Sequence, residues 1–272
     1  MSTKLICSDI DGTLLNKERE LSERTINIIK KLSQIPFILI SSRMPKAMQH
    51  LQEELGISHL PMIAYNGALI IDQNKILHST EIPISSINKI VNFCKNTSLH
   101  ISLYHNNEWY VPELDFWAKR EWNNTKVKPS VQELNLTVKK WGEEQKGAHK
   151  IMIMGEEKEI DHLEKWLENN VSKSIIGYRS KASYLEIAPI VISKKTAIQA
   201  LFKHKYSDIS FAETTAFGDN YNDIEMLKAV NMGVAVSNAK AEVLAIADAV
   251  TNSNKEDGVA IFLEEMYSKL SK

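Results

Sequence analysis

Two carboxylate clusters more than two hundred residues apart hold the residue types best suited to chemistry. Asp9-Ile10-Asp11-Gly12-Thr13 follows the apolar run Leu5-Ile6-Cys7, and Gly218-Asp219-Asn220-Tyr221-Asn222-Asp223 follows Ala216-Phe217. Each reads as a strand that stops at acidic and small polar residues. In an open α/β sheet, ligands bind beyond the carboxyl ends of the strands. If the two strands are neighbours, four carboxylates converge on one small volume. That much negative charge is costly unless a cation shares it, so the pair predicts a metal site of the Mg²⁺ type and phosphate chemistry.

The elements that must position these residues alternate. After the strand Lys4 to Ser8, Ser22 can cap a helix reaching Leu32, and Pro36 introduces the buried strand Phe37 to Ile40. A helix from Pro45 to Leu55 stops at Gly56, and the strand Met62 to Tyr65 leads into Asn66-Gly67. After Pro83 the pattern changes, and all five tryptophans fall between residues 109 and 166. This stretch mixes helices (Ile84 to Lys95, Lys158 to Asn169) with strands (Ile101 to Tyr104, Lys150 to Met154). The alternation resumes beyond Pro189. A helix begins at Lys194, the strand Thr215 to Phe217 follows, and a helix spans Asp223 to Val230. The strand Gly233 to Val236, a helix from Lys240 to Ala247, the strand Ala249 to Thr251 and a final helix complete the chain. Strands alternating with helices predict a doubly wound parallel sheet of α/β class, interrupted by an inserted α+β domain. The expected core is 1–83 with 189–272, and the insertion is 84–188.

Composition limits the partners. With 272 residues, 43% hydrophobic, 25% charged and a net charge of -1, the chain has the profile of an ordinary globular protein. It offers no electrostatic case for nucleic acid or a membrane surface. No apolar run is long enough to span a bilayer and no secretory signal is visible, so a cytoplasmic protein is expected. Cys7 and Cys94 read as two buried thiols. Oligomeric state is not legible.

Short motifs have ordinary structural readings too. Asp-x-Asp-Gly alone is also a turn after a strand. Asn222 could cap a helix, with Glu225 completing a capping box. Ser41 could be a strand-end serine, and Lys194 a solvated lysine. In order, however, the motifs resemble the haloacid dehalogenase superfamily of phosphatases, in its Cof-type branch with a type IIB α/β cap. The resemblance runs through Asp9 to Thr13, Ser41-Ser42-Arg43, Asn66-Gly67, Val191 to Lys195 and Gly218 to Asp223. It continues through Asn238-Ala239, Ala247-Asp248 and Asp257 to Ala260. Glycines common in the family are replaced at Ser42, Val191, Lys195 and Ser237, and no catalytic side chain is lost.

The resemblance implies a Rossmann-like core and a Mg²⁺-dependent phosphatase acting on small phosphorylated metabolites, sugar phosphates foremost. It assigns Asp9 as the nucleophile that forms an aspartyl phosphate and Asp11 as the acid and base. The acid–base role calls for a raised Asp11 pKa, and neighbouring like charge with partial burial acts in that direction. Gly12, Ser41, Lys194 and Asn222 would cradle the phosphate. Asp9, Asp11, Asp219 and Asp223 would hold the metal. Two alternatives remain at this stage: a sugar phosphomutase or phosphotransferase, and a non-enzymatic phosphosugar-binding regulator. Specificity would come from the insertion, where Arg120, His149, Lys150 and Arg179 are candidate contacts. Most of the tryptophans are expected to serve burial.

Overall fold

Short runs without polar alternation make strands buried on both faces. The computed structural model describes residues 3–270, apart from the side chains of Ser180 and Leu270. In it β1 (Leu5–Ser8), β2 (Phe37–Ile40) and β3 (Pro61–Ala64) are such strands, with every residue buried. β4 (Leu69–Asp72) returns antiparallel to β3, and β5 (Lys75–Ser79) forms that edge of the sheet. The next strands are β6 (His100–His105), β7 (Glu108–Val111), β8 (Ser130–Val131), β9 (Lys150–Met154), β10 (Ile175–Lys181) and β11 (Tyr184–Pro189). β12 (Thr214–Gly218), β13 (Met232–Val236) and β14 (Ala249–Thr251) complete the set. Two compact units result. One comprises the chain up to Ser42, Met48–His78 and the chain from Ser193; the other comprises Arg43–Ala47 and Ser79–Ile192.

The first unit has the strand order β14-β13-β12-β1-β2-β3-β4-β5, parallel from β14 to β3. Chain direction across the sheet reverses between β1 and β12. That is the switch point where α/β sheets open a crevice. The register pairs Ser8 with Phe217, which brings the two acidic stretches side by side. Ser22 caps the helix Glu23–Lys31 by accepting from the Thr25 N–H, as its sequence position implies. Further along, the helix expected from Lys240 to Ala247 is only Ala241–Leu244. The chain turns early because Asp248 closes onto β13. Its N–H donates to the Gly233 carbonyl at 2.8 Å and its carboxylate accepts from the Gly233 N–H at 2.7 Å.

The second unit is a six-stranded sheet ordered β10-β11-β9-β6-β7-β8. Helices Ile84–Cys94, Leu134–Glu143 and Glu157–Asn170 cover one face, around a core that includes Ile101, Leu103, Trp141, Ile151, Ile153, Leu185 and Ile187. Helix Phe116–Thr125 begins on the other face: its cap Asp115 bonds His100, and Trp117 meets Tyr184 edge-on. Cys7 and Cys94 are both buried free thiols, pushed up to about 12 by burial. Among the described residues no helix is long and apolar enough to cross a membrane.

Candidate active site

The site is built on the carboxyl ends of β1 and β12, with help from one helix start. Ser193 and Thr196 form a capping box for the helix Lys194–His204: Ser193 Oγ accepts from the Thr196 N–H, and Thr196 Oγ1 accepts from the Ser193 N–H. Lys194 therefore occupies the first helical position, where the helix dipole disfavours a cation. Two carboxylates offset this. Lys194 Nζ donates to Asp9 Oδ1 and to Asp223 Oδ1, each at 2.5 Å, with the lysine fully buried. Burial works against the ammonium charge, but Asp223 and Asp9 outweigh it and raise the Lys194 pKa. The solvated-lysine reading of this segment is therefore excluded.

Asp223 is a clamp. One of its oxygens holds Lys194, and the other accepts from the backbone N–H groups of Asp219 and Asn220 at 2.9 and 3.0 Å. This geometry corrects the capping expectation at Asn222. The N-cap of the turn Tyr221–Asp223 is Asn220, with Asp223 completing the capping box. Asn222 instead donates its side-chain N–H to Asn66 Oδ1 at 3.0 Å. Asn66 is buried in a left-handed conformation, and its own N–H donates to the Ser41 carbonyl at 2.8 Å. Ser41 and Asn222 are thus both tied to Asn66. The next residue must be glycine: at φ +109°, a Cβ on Gly67 would lie 2.7 Å from Ala197 Cβ and 2.9 Å from the Ser193 carbonyl oxygen. That close approach lets the Asn66 turn pack against the helix carrying Lys194.

Gly12 meets a similar demand beside Asp219. At φ +89° a Cβ there would fall 2.5 Å from Asp219 Oδ2. Thr13 Oγ1 donates to Asp219 Oδ1 at 2.9 Å. Two residues outside the predicted set also brace this loop. Asn238 donates to the Gly12 carbonyl at 2.8 Å, and Arg19 donates to Asp11 Oδ1 at 2.7 Å across an exposed pair. Asn238 was visible only as part of a family motif. Arg19 had no signal, because its left-handed φ of 64° depends on the folded loop.

One carboxylate oxygen from each of Asp9, Asp219 and Asp223 lies within 4.8 Å of the others. Burial raises the Asp9 pKa well above the carboxylate range, although Lys194 pulls it back. Burial, then the Asp223 charge, pushes Asp219 up to about 6. One ammonium does not balance three carboxylates. Hard oxygen donors with surplus negative charge suit a divalent cation such as Mg²⁺, so the donor set fits that metal.

A second cluster, Glu81, His105 and His149, also meets within 4.8 Å. Several of its donor atoms are engaged in hydrogen bonds. His149 Nδ1 accepts from the Asn106 N–H at 3.0 Å, so in the neutral ring Nε2 carries the proton and faces Ser79 Oγ at 3.0 Å. Ser79 Oγ in turn donates to Glu81 Oε1 at 3.1 Å. Burial pushes the His149 pKa down to about 3 and keeps the ring neutral. This arrangement makes His149 part of a hydrogen-bonded framework. Arg179 is similarly committed, to Asp161 and Glu164 on the helix-covered side. Arg120 lies 5.6 Å from the Tyr184 ring centre. Lys150 sits 4.7 Å over the Tyr104 ring and is buried. Among the tryptophans, Trp141 is core and Trp166 stacks on Phe93. Trp117 and Trp122 make ring contacts to Tyr184 and Lys128.

Comparison with known proteins agrees with this geometry. The sequence profile described as haloacid dehalogenase-like hydrolase matches residues 6–263. A Haemophilus influenzae protein assigned provisionally as a phosphatase is 33% identical over 98% of this chain and 99% of its own length. The 5-amino-6-(5-phospho-D-ribitylamino)uracil phosphatase of Bacillus subtilis is 28% identical over 98% of this chain and 100% of its own. The crystal structure of a haloacid dehalogenase-like hydrolase from Bacteroides thetaiotaomicron superposes with a TM-score of 0.89 at 27% identity, covering 97% of this chain and 100% of that one. The same fold, cap included, recurs in a sugar phosphatase of subclass IIB at 22% identity, with a TM-score of 0.80 over 97% of this chain and 99% of that one.

Proposed function

The chain belongs to the haloacid dehalogenase-like hydrolase family, and on that premise we propose that it is a Mg²⁺-dependent phosphatase of small phosphomonoesters, sugar phosphates foremost. The observation that carries this reading is the buried bridge from Lys194 to Asp9 and Asp223. A buried carboxylate tends to protonate, which would destroy its nucleophilicity. The ammonium opposes that tendency and holds Oδ1, so the second oxygen of Asp9 is the attacking atom.

Asp9 forms a bond to phosphorus as the bond from phosphorus to the leaving alcohol breaks. Asp11 gives its proton to that alkoxide. It then takes a proton from the water that attacks the aspartyl phosphate, releasing inorganic phosphate and restoring Asp9. Lys194 and Asn222, the Ser41 hydroxyl and the N–H groups around Gly12 take the phosphoryl oxygens. Asp9, Asp219 and the Asp11 carbonyl would hold Mg²⁺, which when bound would supply the positive charge needed for an anionic nucleophile to approach an anionic ester. Asp223 keeps Lys194 in place and anchors the loop that carries Asp219. Residues 84–188 choose the substrate.

Asp9→Asn protein should fold as the parent does and lose at least about a thousandfold in kcat on p-nitrophenyl phosphate. EDTA should silence the parent and Mg²⁺ restore it. Near-parental turnover by Asp9→Asn protein would remove the covalent mechanism, and activity that survives chelation would remove the metal.

A further inference from the structure

The chain leaves β3 through three consecutive residues with positive φ: Tyr65 at 54°, Asn66 at 55° and Gly67 at 109°. Glycine adopts that region freely and asparagine tolerates it, but for a bulky side chain such as tyrosine it is an outlier. All three residues are buried. Such conformations persist only where their surroundings hold them, and they cluster where function needs a fixed geometry.

The backbone of the turn is held on two sides. The Asn66 N–H donates to the Ser41 carbonyl, and Gly67 lies close to Ser193 and Ala197 at the start of the helix carrying Lys194. The Asn66 side chain reaches a third element. Its Oδ1 accepts from Asn222 Nδ2 at 3.0 Å, and the residue is only 6% exposed. β3 and β12, the strands that precede these two asparagines, are separated in the sheet by β2 and β1. The bond therefore joins loops that the sheet itself does not pair. A carboxamide can turn about its last torsion and exchange a donor nitrogen for an acceptor oxygen. With Asn66 Oδ1 facing it, a turned Asn222 amide would set two acceptors against each other. Asn222 is thus fixed with one N–H engaged, and its second N–H remains for another acceptor.

We infer that Asn66 is a positioning residue of the phosphatase: its Oδ1 orients the Asn222 amide so that the second N–H meets a phosphoryl oxygen. This rests on the phosphatase reading above and extends it to a residue that acts only through Asn222. The strained turn is the mount that places this acceptor.

Asn66→Gly separates the side chain from the turn, because glycine keeps the left-handed backbone and the N–H to Ser41. The test is a double-mutant cycle of Asn66→Gly and Asn222→Ala on p-nitrophenyl phosphate hydrolysis, with thermal unfolding of each protein. Each single variant should lose about tenfold or more in kcat while KM changes less than about threefold, because a misdirected donor fails where charge develops in the transition state. In the Asn222→Ala background, Asn66→Gly should change kcat less than about twofold, since its only route of action is gone. Asn66→Gly protein should unfold within about 5 °C of the parent. Losses that multiply in the double variant, parental kcat in either single one, or a loss confined to KM would overturn the positioning role and leave the phosphatase intact. A larger fall in Tm would make the side chain a structural one and overturn the role as well. A parent that hydrolyses no phosphate ester would overturn both readings.

Discussion

Replacing Lys194 with methionine keeps the length of the side chain and removes its charge, leaving Asp9 and Asp223 buried without their common partner. Breaking a buried ion pair from one side costs about 3–5 kcal/mol, because the remaining charge cannot be solvated. For a chain somewhat above 250 residues that corresponds to a fall in Tm of roughly 5–9 °C. The sign of the pH dependence follows from the carboxylates. Burial already raises Asp9, and loss of the lysine raises it further. A carboxylate whose folded pKa lies above its unfolded one destabilises the fold increasingly as pH rises above the unfolded value, until the folded group ionises. Thermal unfolding in EDTA should therefore show a larger deficit for Lys194→Met at pH 8 than at pH 5. Adding Asp223→Asn should return part of the loss by removing surplus negative charge. A deficit below about 2 °C at pH 8, or the same deficit at both pH values, would refute the claim that Lys194 neutralises buried carboxylates. So would a double variant whose loss equals the sum of the two singles, since residues in one ion-pair network must couple.

Asp219 supplies a second pH signature. With its pKa pushed up to about 6, the metal-free protein loses stability as pH rises from the unfolded value near 4 through 6, by about 3 kcal/mol. Mg²⁺ should accordingly raise Tm more at pH 7.5 than at pH 5, and equal gains would detach Asp219 from the cation. Gly67→Ala should destabilise by about 3 kcal/mol in urea unfolding, since it combines a left-handed backbone with contacts to Ala197 and Ser193. A cost below about 0.5 kcal/mol would show that the turn and the helix can separate freely.

Much of the chain is legible in sequence because its signals are local. Phe37 to Ile40, Lys150 to Met154 and Ala249 to Thr251 are strands with the boundaries their apolar runs imply. Ser22 caps the helix it precedes. The neighbouring cap at Asn220 was missed because Asn220 and Asn222 are equivalent in sequence terms. The choice is made by Asp223, whose carboxylate accepts from Asp219 and Asn220 while it grips Lys194. Among the cap residues, Arg120, His149, Lys150 and Arg179 were indistinguishable as polar side chains. Their surroundings separate them: His149 and Arg179 are bound into frameworks, and Lys150 is buried over the Tyr104 ring.

The two acidic stretches show how the information divides. Residue type and spacing alone marked which groups can do chemistry and carried the expectation of a phosphate and a divalent cation, because these follow from the donor atoms. Which groups each carboxylate is paired with was a tertiary outcome. Asp9 and Asp223 become partners of one lysine because β1 lies beside β12 and a glycine admits the helix start. Asp219 is drawn toward the Gly12 loop by Thr13. Burial and charge depend on three-dimensional neighbours far apart in the chain, and those neighbours decide which of several identical side chains is held charged and which surplus charge calls for a metal.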